Sequence, residues 1–203
     1  MRGLLLSLLL APCAQADAFK DFQALSAART EGEDYRIVLE DRRSTVTVFA
    51  VHGGTIEPGT SEVARALAGS DWNLYLFEGL KKDGAKALHV TSAHFDEPSA
   101  VALSSRSVLA VSLHRQKDSG TWACVGGSNA ALRRRAAEAL RAEGFKAQEP
   151  CRRLPGASGR NIVNRAREGG LQLELTRRLL RALTGDEKKL ERFCRALRSA
   201  LLP

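Results

Sequence analysis

Ser107-Val108-Leu109-Ala110-Val111-Ser112-Leu113 is an almost unbroken apolar run of strand length. A strand with one wet face alternates polar and apolar residues, whereas a run without alternation has to be covered on both sides. That need brings helices onto both faces of a sheet. Ser44-Thr45-Val46-Thr47-Val48-Phe49-Ala50-Val51 is rich in β-branched residues and reads as a second strand. Further strands are expected at Asn73-Leu74-Tyr75-Leu76-Phe77-Glu78, Ala87-Leu88-His89-Val90-Thr91-Ser92 and Leu171-Gln172-Leu173-Glu174-Leu175.

Helical patterns separate these runs. Ser61 to Ala68 predicts a helix capped by Thr60 or Ser61, with Glu62 at its positive end. Asp96-Glu97-Pro98 opens another, with Asp96 as cap and Pro98 in the first turn. A long helix over residues 129–142 is capped by Ser128 and closed by Gly144. Two basic amphipathic helices end the chain, the second opened by a Thr184-x-x-Glu187 capping box. Residues 17–35 are polar and predict a helix or an irregular arm. Strands alternating with helices imply an α/β fold with a mixed, mainly parallel sheet flanked by helices. The 203 residues suffice for one such domain with a real core, and no linker divides them.

The N-terminus reads as a targeting segment. Arg2 is followed by an apolar run from Leu4 to Leu10, and Ala14-Gln15-Ala16 fits a small-x-small cleavage site. A signal peptide over residues 1–16 is expected, with a mature chain starting at Asp17 and a secreted or periplasmic location. The run is too short to span a bilayer, and no other stretch reaches that length. Cleavage removes Cys13 and leaves Cys124, Cys151 and Cys194. An oxidising compartment permits one disulfide, expected between Cys124 and Cys151 because both lie in loop-like contexts. Cys194 falls in a helical pattern and reads as a buried free thiol. No pair has C-x-x-C spacing, which argues against a structural zinc knuckle or a thioredoxin-like site.

A formal net charge of +8 favours polyanionic partners without choosing among them. Nucleic acid is not expected, because aromatics are only 5% and do not interleave with the basic residues. Arg133-Arg134-Arg135, Arg177-Arg178 and Lys188-Lys189 read as solvated helix faces.

The chain holds four histidines: His52, His89, His94 and His114. His52 and His114 each directly follow a strand, and in α/β sheets sites gather beyond the carboxyl ends of strands. In His52-Gly53-Gly54-Thr55-Ile56-Glu57 the glycines permit a tight turn, so that imidazole and carboxylate can face one point. Two histidines and one carboxylate leave the fourth position of a tetrahedral zinc open for water, as in catalytic zinc sites. By spacing alone the same residues read first as satisfied core or surface histidines beside an ordinary turn, and only second as metal ligands. His89 alternates with its neighbours along the expected strand and reads as structural.

Several blocks together resemble one family. His52-Gly53-Gly54-Thr55-Ile56-Glu57-Pro58-Gly59-Thr60-Ser61-Glu62, Tyr75-Leu76-Phe77-Glu78-Gly79-Leu80-Lys81 and Leu88-His89-Val90-Thr91-Ser92-Ala93-His94-Phe95-Asp96-Glu97-Pro98 are similar to the signature of the phage and bacterial poly-γ-glutamate hydrolases. So are Ser112-Leu113-His114, Val125-Gly126-Gly127, Asn161-Ile162-Val163-Asn164-Arg165 and Gly170 to Leu175. The likeness runs in order from about residue 46 to about residue 182.

The resemblance implies a zinc carboxypeptidase-like fold and hydrolysis of γ-glutamyl amide bonds. It implies zinc held by His52, Glu57 and His114, with Glu62 as the alternative carboxylate because four residues, rather than the carboxypeptidases' two, separate His52 from Glu57. Glu174 takes the place of the general base. Arg165, with Asn164 or Asn161, would hold a substrate carboxylate. His94 would be a ligand in place of His114, a partner of a ligand, or a transition-state donor. The partner implied is poly-γ-glutamate, cut by a protein expected to act as a monomer. Cell-wall peptides or acyl-amino acids are the alternative substrates, and a non-enzymatic polyanion-binding protein is the alternative class.

Overall fold

The computed structural model describes residues 17–202. The expected signal peptide, residues 1–16, lies outside the described residues. A seven-stranded sheet has strands β1 (Tyr35–Glu40), β2 (Val46–Gly54), β3 (Asn73–Gly79), β4 (Leu109–Gln116), β5 (Ala123–Gly126), β6 (Ala147–Gln148) and β7 (Gly170–Thr176), in the order β1-β3-β2-β4-β7-β5-β6. The four central strands β3-β2-β4-β7 pair in parallel, as does β5 with β6. β1 and β5 pair antiparallel with β3 and β7. The sheet is therefore mixed, and its antiparallel members are strands that the periodicity had not marked.

Helices α1 (Phe22–Ser26), α2 (Thr60–Ala68), α3 (Pro98–Arg106), α4 (Ala130–Ala142), α5 (Arg177–Thr184) and α6 (Glu187–Leu201) cover the sheet on both faces. Val48, Ala50, Leu76, Val111, Leu113 and Leu173 face one core with α2, α4, α5 and α6. Phe49, Val51, Tyr75, Phe77 and Ala110 face a second core with α1 and α3. Alternate residues of the central strands feed opposite cores, the reason those strands read as continuous apolar runs. The single domain is thus a three-layer α/β fold.

Several local expectations differ. Residues 87–92 form no strand: Ala85–Leu88 is a 3-10 turn and the segment after it is irregular. The helix at Pro98 is capped by Glu97, whose carboxylate accepts from Ser99 and Ala100. Asp96 instead accepts from the Phe22 N–H at the start of α1. α2 has Gly59 as cap residue with no side-chain cap bond, because Ser61 Oγ accepts from Gly54 N and Thr60 Oγ1 donates to Glu57 O. Asn129 rather than Ser128 caps α4, and Asp186 rather than Thr184 caps α6. Glu97, Asn129 and Asp186 each bring a neighbouring side chain within reach of the same free amides. Cys124 and Cys151 are bonded, although Cys124 lies in β5 and not in a loop, and Cys194 is a buried free thiol. No helix among the described residues is long and apolar enough to cross a membrane.

Candidate metal centre

Strand register sets two of the polar residues side by side. His114 in β4 pairs with Glu174 in β7, and both share the face of Ala110, away from Val111, Leu113 and Leu173. His52 has the parity of Val48 and Ala50 and on a regular strand would point to the opposite face. The pairing of β2 with β3 slips between Ala50 and Gly53: Ala50 opposes Leu76, whereas Gly53 opposes Glu78. Three residues of β2 are thereby matched to two of β3. Such a bulge re-aims the side chains beyond it, and it swings His52 onto the face of His114 and Glu174.

The turn after the bulge delivers the carboxylate. Glu57 N donates to His52 O at 2.9 Å, and Thr55 N to Gly79 O at 3.0 Å, so the four intervening residues form a closed loop. Gly53 is required by contact, since a Cβ there would lie 2.2 Å from Ser61 Oγ. Gly54 is required by conformation, at φ 62°. Glu57 Oε2 accepts from Arg115 N at 2.8 Å and lies 3.6 Å from Nδ1 of both His52 and His114. Those two nitrogens are 3.1 Å apart. Glu62, by contrast, is exposed in the first turn of α2.

His52, Glu57 and His114 are buried, and their ligand atoms all lie within 4.8 Å of one another. Zn–N and Zn–O bonds of about 2.0–2.1 Å in tetrahedral array put ligand atoms about 3.3 Å apart. The observed edges of 3.1 and 3.6 Å bracket that value, so the donor set fits a metal ion. The outer ring nitrogens are also held. His52 Nε2 lies 2.9 Å from Val90 O. A carbonyl only accepts, so Nε2 carries a hydrogen and it is Nδ1 that faces the centre. His114 Nε2 lies 3.3 Å from Ser92 Oγ.

The buried acids and imidazoles of the cluster act on one another's charge. Burial opposes ionisation of Glu57, but the two imidazoles outweigh it and hold its carboxyl well below the ordinary range. Burial likewise disfavours charge on His114, yet the Glu57 carboxylate facing its ring, with Glu174 beside it, raises its pKa. Glu174 goes the other way. Burial pushes it up to about 7, with the His114 charge opposing and the Glu57 charge adding to the rise. A carboxyl shifted toward neutrality beside a potential metal centre is what a general base needs.

A hydrogen-bond chain supports Glu174 from the loop side. Asn161 Nδ2 donates to Gln172 Oε1 at 2.7 Å, and Gln172 Nε2 donates to Glu174 Oε1 at 2.9 Å. Asn164 is also committed within the fold, donating to Gly156 O and Ser158 O and accepting from Ser128 N. The amides expected to meet substrate therefore hold the loop together. Arg165 keeps a free donor: its Nε is buried and has no hydrogen-bond partner. His94 is exposed in a turn and stands outside the triad. His89, read as structural, stacks on His52 with ring centroids 4.0 Å apart. Sequence reasoning missed Val90, Ser92, Gln172 and His89 as supports, because a backbone carbonyl carries no residue signature and the others sit in ordinary apolar contexts.

Residues 19–195 match the family described as poly-gamma-glutamate hydrolase. UPF0714 protein YndL of Bacillus subtilis (strain 168) is 37% identical over 172 residues, covering 83% of this chain and 68% of the relative. Among solved structures, a bacteriophage poly-gamma-glutamate hydrolase superposes with a TM-score of 0.86 at 33% identity, over 92% of this chain and 97% of that one. A zinc-free apo form of YndL gives 0.85 at 32% identity, over 92% and 98%. With the family match spanning nearly the whole described chain, the protein belongs to the poly-gamma-glutamate hydrolase family.

Proposed function

We propose that this protein is a zinc-dependent hydrolase of γ-glutamyl amide bonds in poly-γ-glutamate, with the metal held by His52, Glu57 and His114. The observation that carries the reading is the convergence of two Nδ1 atoms and one carboxylate oxygen, buried and spaced for tetrahedral coordination. The zinc-free form of a close structural relative supports zinc as the metal. Zinc in such a site polarises a carbonyl and lowers the pKa of water.

The chain's own residues would do the rest. Val90 O fixes the His52 tautomer, and the Arg115 amide holds Glu57. Glu174 takes the proton of the attacking water and passes it to the leaving amine. Gln172 and Asn161 keep the Glu174 carboxylate in place. Arg165, whose buried Nε has no partner, pairs with a substrate carboxylate through its planar fork. The net charge of +8 helps to gather a polyanionic polymer. Export is part of the proposal, supported by the leader pattern of residues 1–16 and by the Cys124–Cys151 bond, which suits an oxidising compartment.

The test is metal content and turnover on poly-γ-glutamate before and after chelation. About one zinc per chain, with activity lost on chelation and restored by zinc, is the expected result. Zinc without that turnover would overturn the substrate, and no metal after reconstitution would overturn the centre.

A further inference from the structure

We propose that Asp17 is a positioning residue of the metal centre, acting with His89 as a clamp on the segment that carries both imidazoles from outside. The inference rests on the reading of His52, Glu57 and His114 as metal ligands.

Each of the two ligand histidines turns one ring nitrogen inward and the other to the stretch His89–Ser92. Val90 O accepts from His52 Nε2 at 2.9 Å, and Ser92 Oγ lies 3.3 Å from His114 Nε2. The His89 ring lies on the His52 ring, with centroids 4.0 Å apart and an interplanar angle of 28°. Ligand orientation is therefore set by a short stretch that belongs to neither a helix nor a strand. No ladder or helical bonding stiffens it, so its position depends on individual contacts.

Besides local turn bonds from His89 N to Lys86 O and from His94 N to Thr91 O, and its contacts to the two ligand rings, it is tied to the rest of the fold on two sides. On one side Ile162 N donates to Ser92 O at 3.0 Å. On the other side is the Asp17 carboxylate, more than seventy residues away in sequence. Asp17 Oδ2 accepts from Thr91 N at 2.7 Å, and Oδ1 lies 2.7 Å from His89 Nδ1. A carboxylate only accepts when ionised, so Nδ1 is the donor. Both bonds are short and charge-assisted, the strong class of hydrogen bond. One oxygen fixes the backbone between Val90 and Ser92, and the other fixes the ring that covers His52.

Thr91 is exposed and the Asp17 side chain half-buried, and neither belongs to the apolar cluster into which Leu88 and Val90 of this stretch are packed. Loss of the carboxylate would loosen the imidazoles more than it would unfold the domain. Partners that orient metal-binding histidines typically change metal affinity by about 10–100-fold when removed.

The experiment compares zinc affinity, by competition with a chromogenic chelator, for the wild type, Asp17→Asn, Asp17→Ala, His89→Ala and the Asp17→Ala/His89→Ala double variant. Cobalt(II) absorption spectra of the same proteins report ligand geometry. Melting of the chelator-treated proteins reports folding. The expected result is a loss of zinc affinity of about 10–100-fold for Asp17→Ala, a smaller loss for Asp17→Asn, which keeps an acceptor for Thr91, and altered cobalt bands in both. The double variant should lose less than the sum of the two single losses, because the Asp17–His89 contact is removed in both. Metal-free melting should stay near the wild type. Unchanged affinity and cobalt spectra in the Asp17 variants would overturn the clamp and leave the centre standing. A wild type that binds no zinc would overturn the centre, and the clamp with it.

Discussion

Replacing Glu174 by glutamine separates what this residue does for folding from what it does for chemistry. Its carboxyl is raised from 4.5 to about 7, mainly by burial. Between those values the folded chain keeps a proton that the unfolded chain releases, so stability falls as pH rises through the window. The full loss, complete above pH 7, is about 3 kcal/mol at ~1.4 kcal/mol per pH decade. Glutamine does not titrate and still accepts from Gln172 Nε2, so the variant escapes this loss. His114, however, loses an ionic neighbour that helps to hold its proton, and the net gain is correspondingly smaller than 3 kcal/mol.

Urea unfolding of chelator-treated protein at pH 5 and pH 8 measures the effect. With a slope of about 1–3 kcal/mol/M, Glu174→Gln should unfold at a clearly higher urea concentration than the wild type at pH 8. At pH 5 the difference should shrink to about a quarter of that at pH 8, since the unfolded carboxyl begins to ionise near 4.5. The zinc-loaded variant should keep its metal yet lose about 10²–10⁴-fold in turnover, the usual contribution of a general base. A bound dication favours the ionised carboxylate, so the zinc-loaded wild type has its base ready at neutral pH. Equal or lower stability of the variant at pH 8, or a gain of the same size at pH 5, would refute the burial argument. Normal turnover would refute the role of general base.

Gly53→Ala places a methyl group 2.2 Å from Ser61 Oγ. It should cost about 1–3 kcal/mol of stability and weaken zinc binding, both partly rescued by adding Ser61→Ala, as read by melting and chelator competition. Arg165→Ala should raise KM for poly-γ-glutamate at least about tenfold, the scale of a lost charge-assisted bond, and Arg165→Lys should restore little of it. Reduction of Cys124–Cys151, which closes a segment of 27 residues, should destabilise the fold by about 3–4 kcal/mol, seen as a lower melting temperature in dithiothreitol.

The central strands were legible because each is buried on both faces and made of β-branched and aliphatic residues. β1 and β5 were not. Tyr35–Glu40 carries charges at Arg36 and Glu40, and its strand identity comes from pairing with β3, where Arg36 meets Glu78 at 2.6 Å. Ala123–Gly126 is four residues long and is defined by its antiparallel pairing with β7. Periodicity needs length to show itself, and a strand set by its neighbour's edge has no pattern of its own. The segment 87–92 misled for the converse reason. Leu88 and Val90 are both buried, so it alternates like a strand, but it lies over the second core as an irregular segment.

The metal ligands show the same division at finer grain. His114 needed only strand parity: it and Glu174 follow apolar runs of known phase, and the register sets them side by side. His52 could not be placed by parity, since the phase of Val48 and Ala50 sends it to the other core. The bulge before Gly53 reverses that phase, and the signal for it in the sequence was the glycine pair itself. A Gly-Gly at a strand end is compatible with a plain turn, and only the contact with Ser61 and the positive φ at Gly54 show why neither glycine can be replaced. The four-residue gap to Glu57 follows from the same device. A chain that leaves a bulge must close a wider loop before it can return a carboxylate to the centre, and the Glu57 N to His52 O bond is where that loop closes.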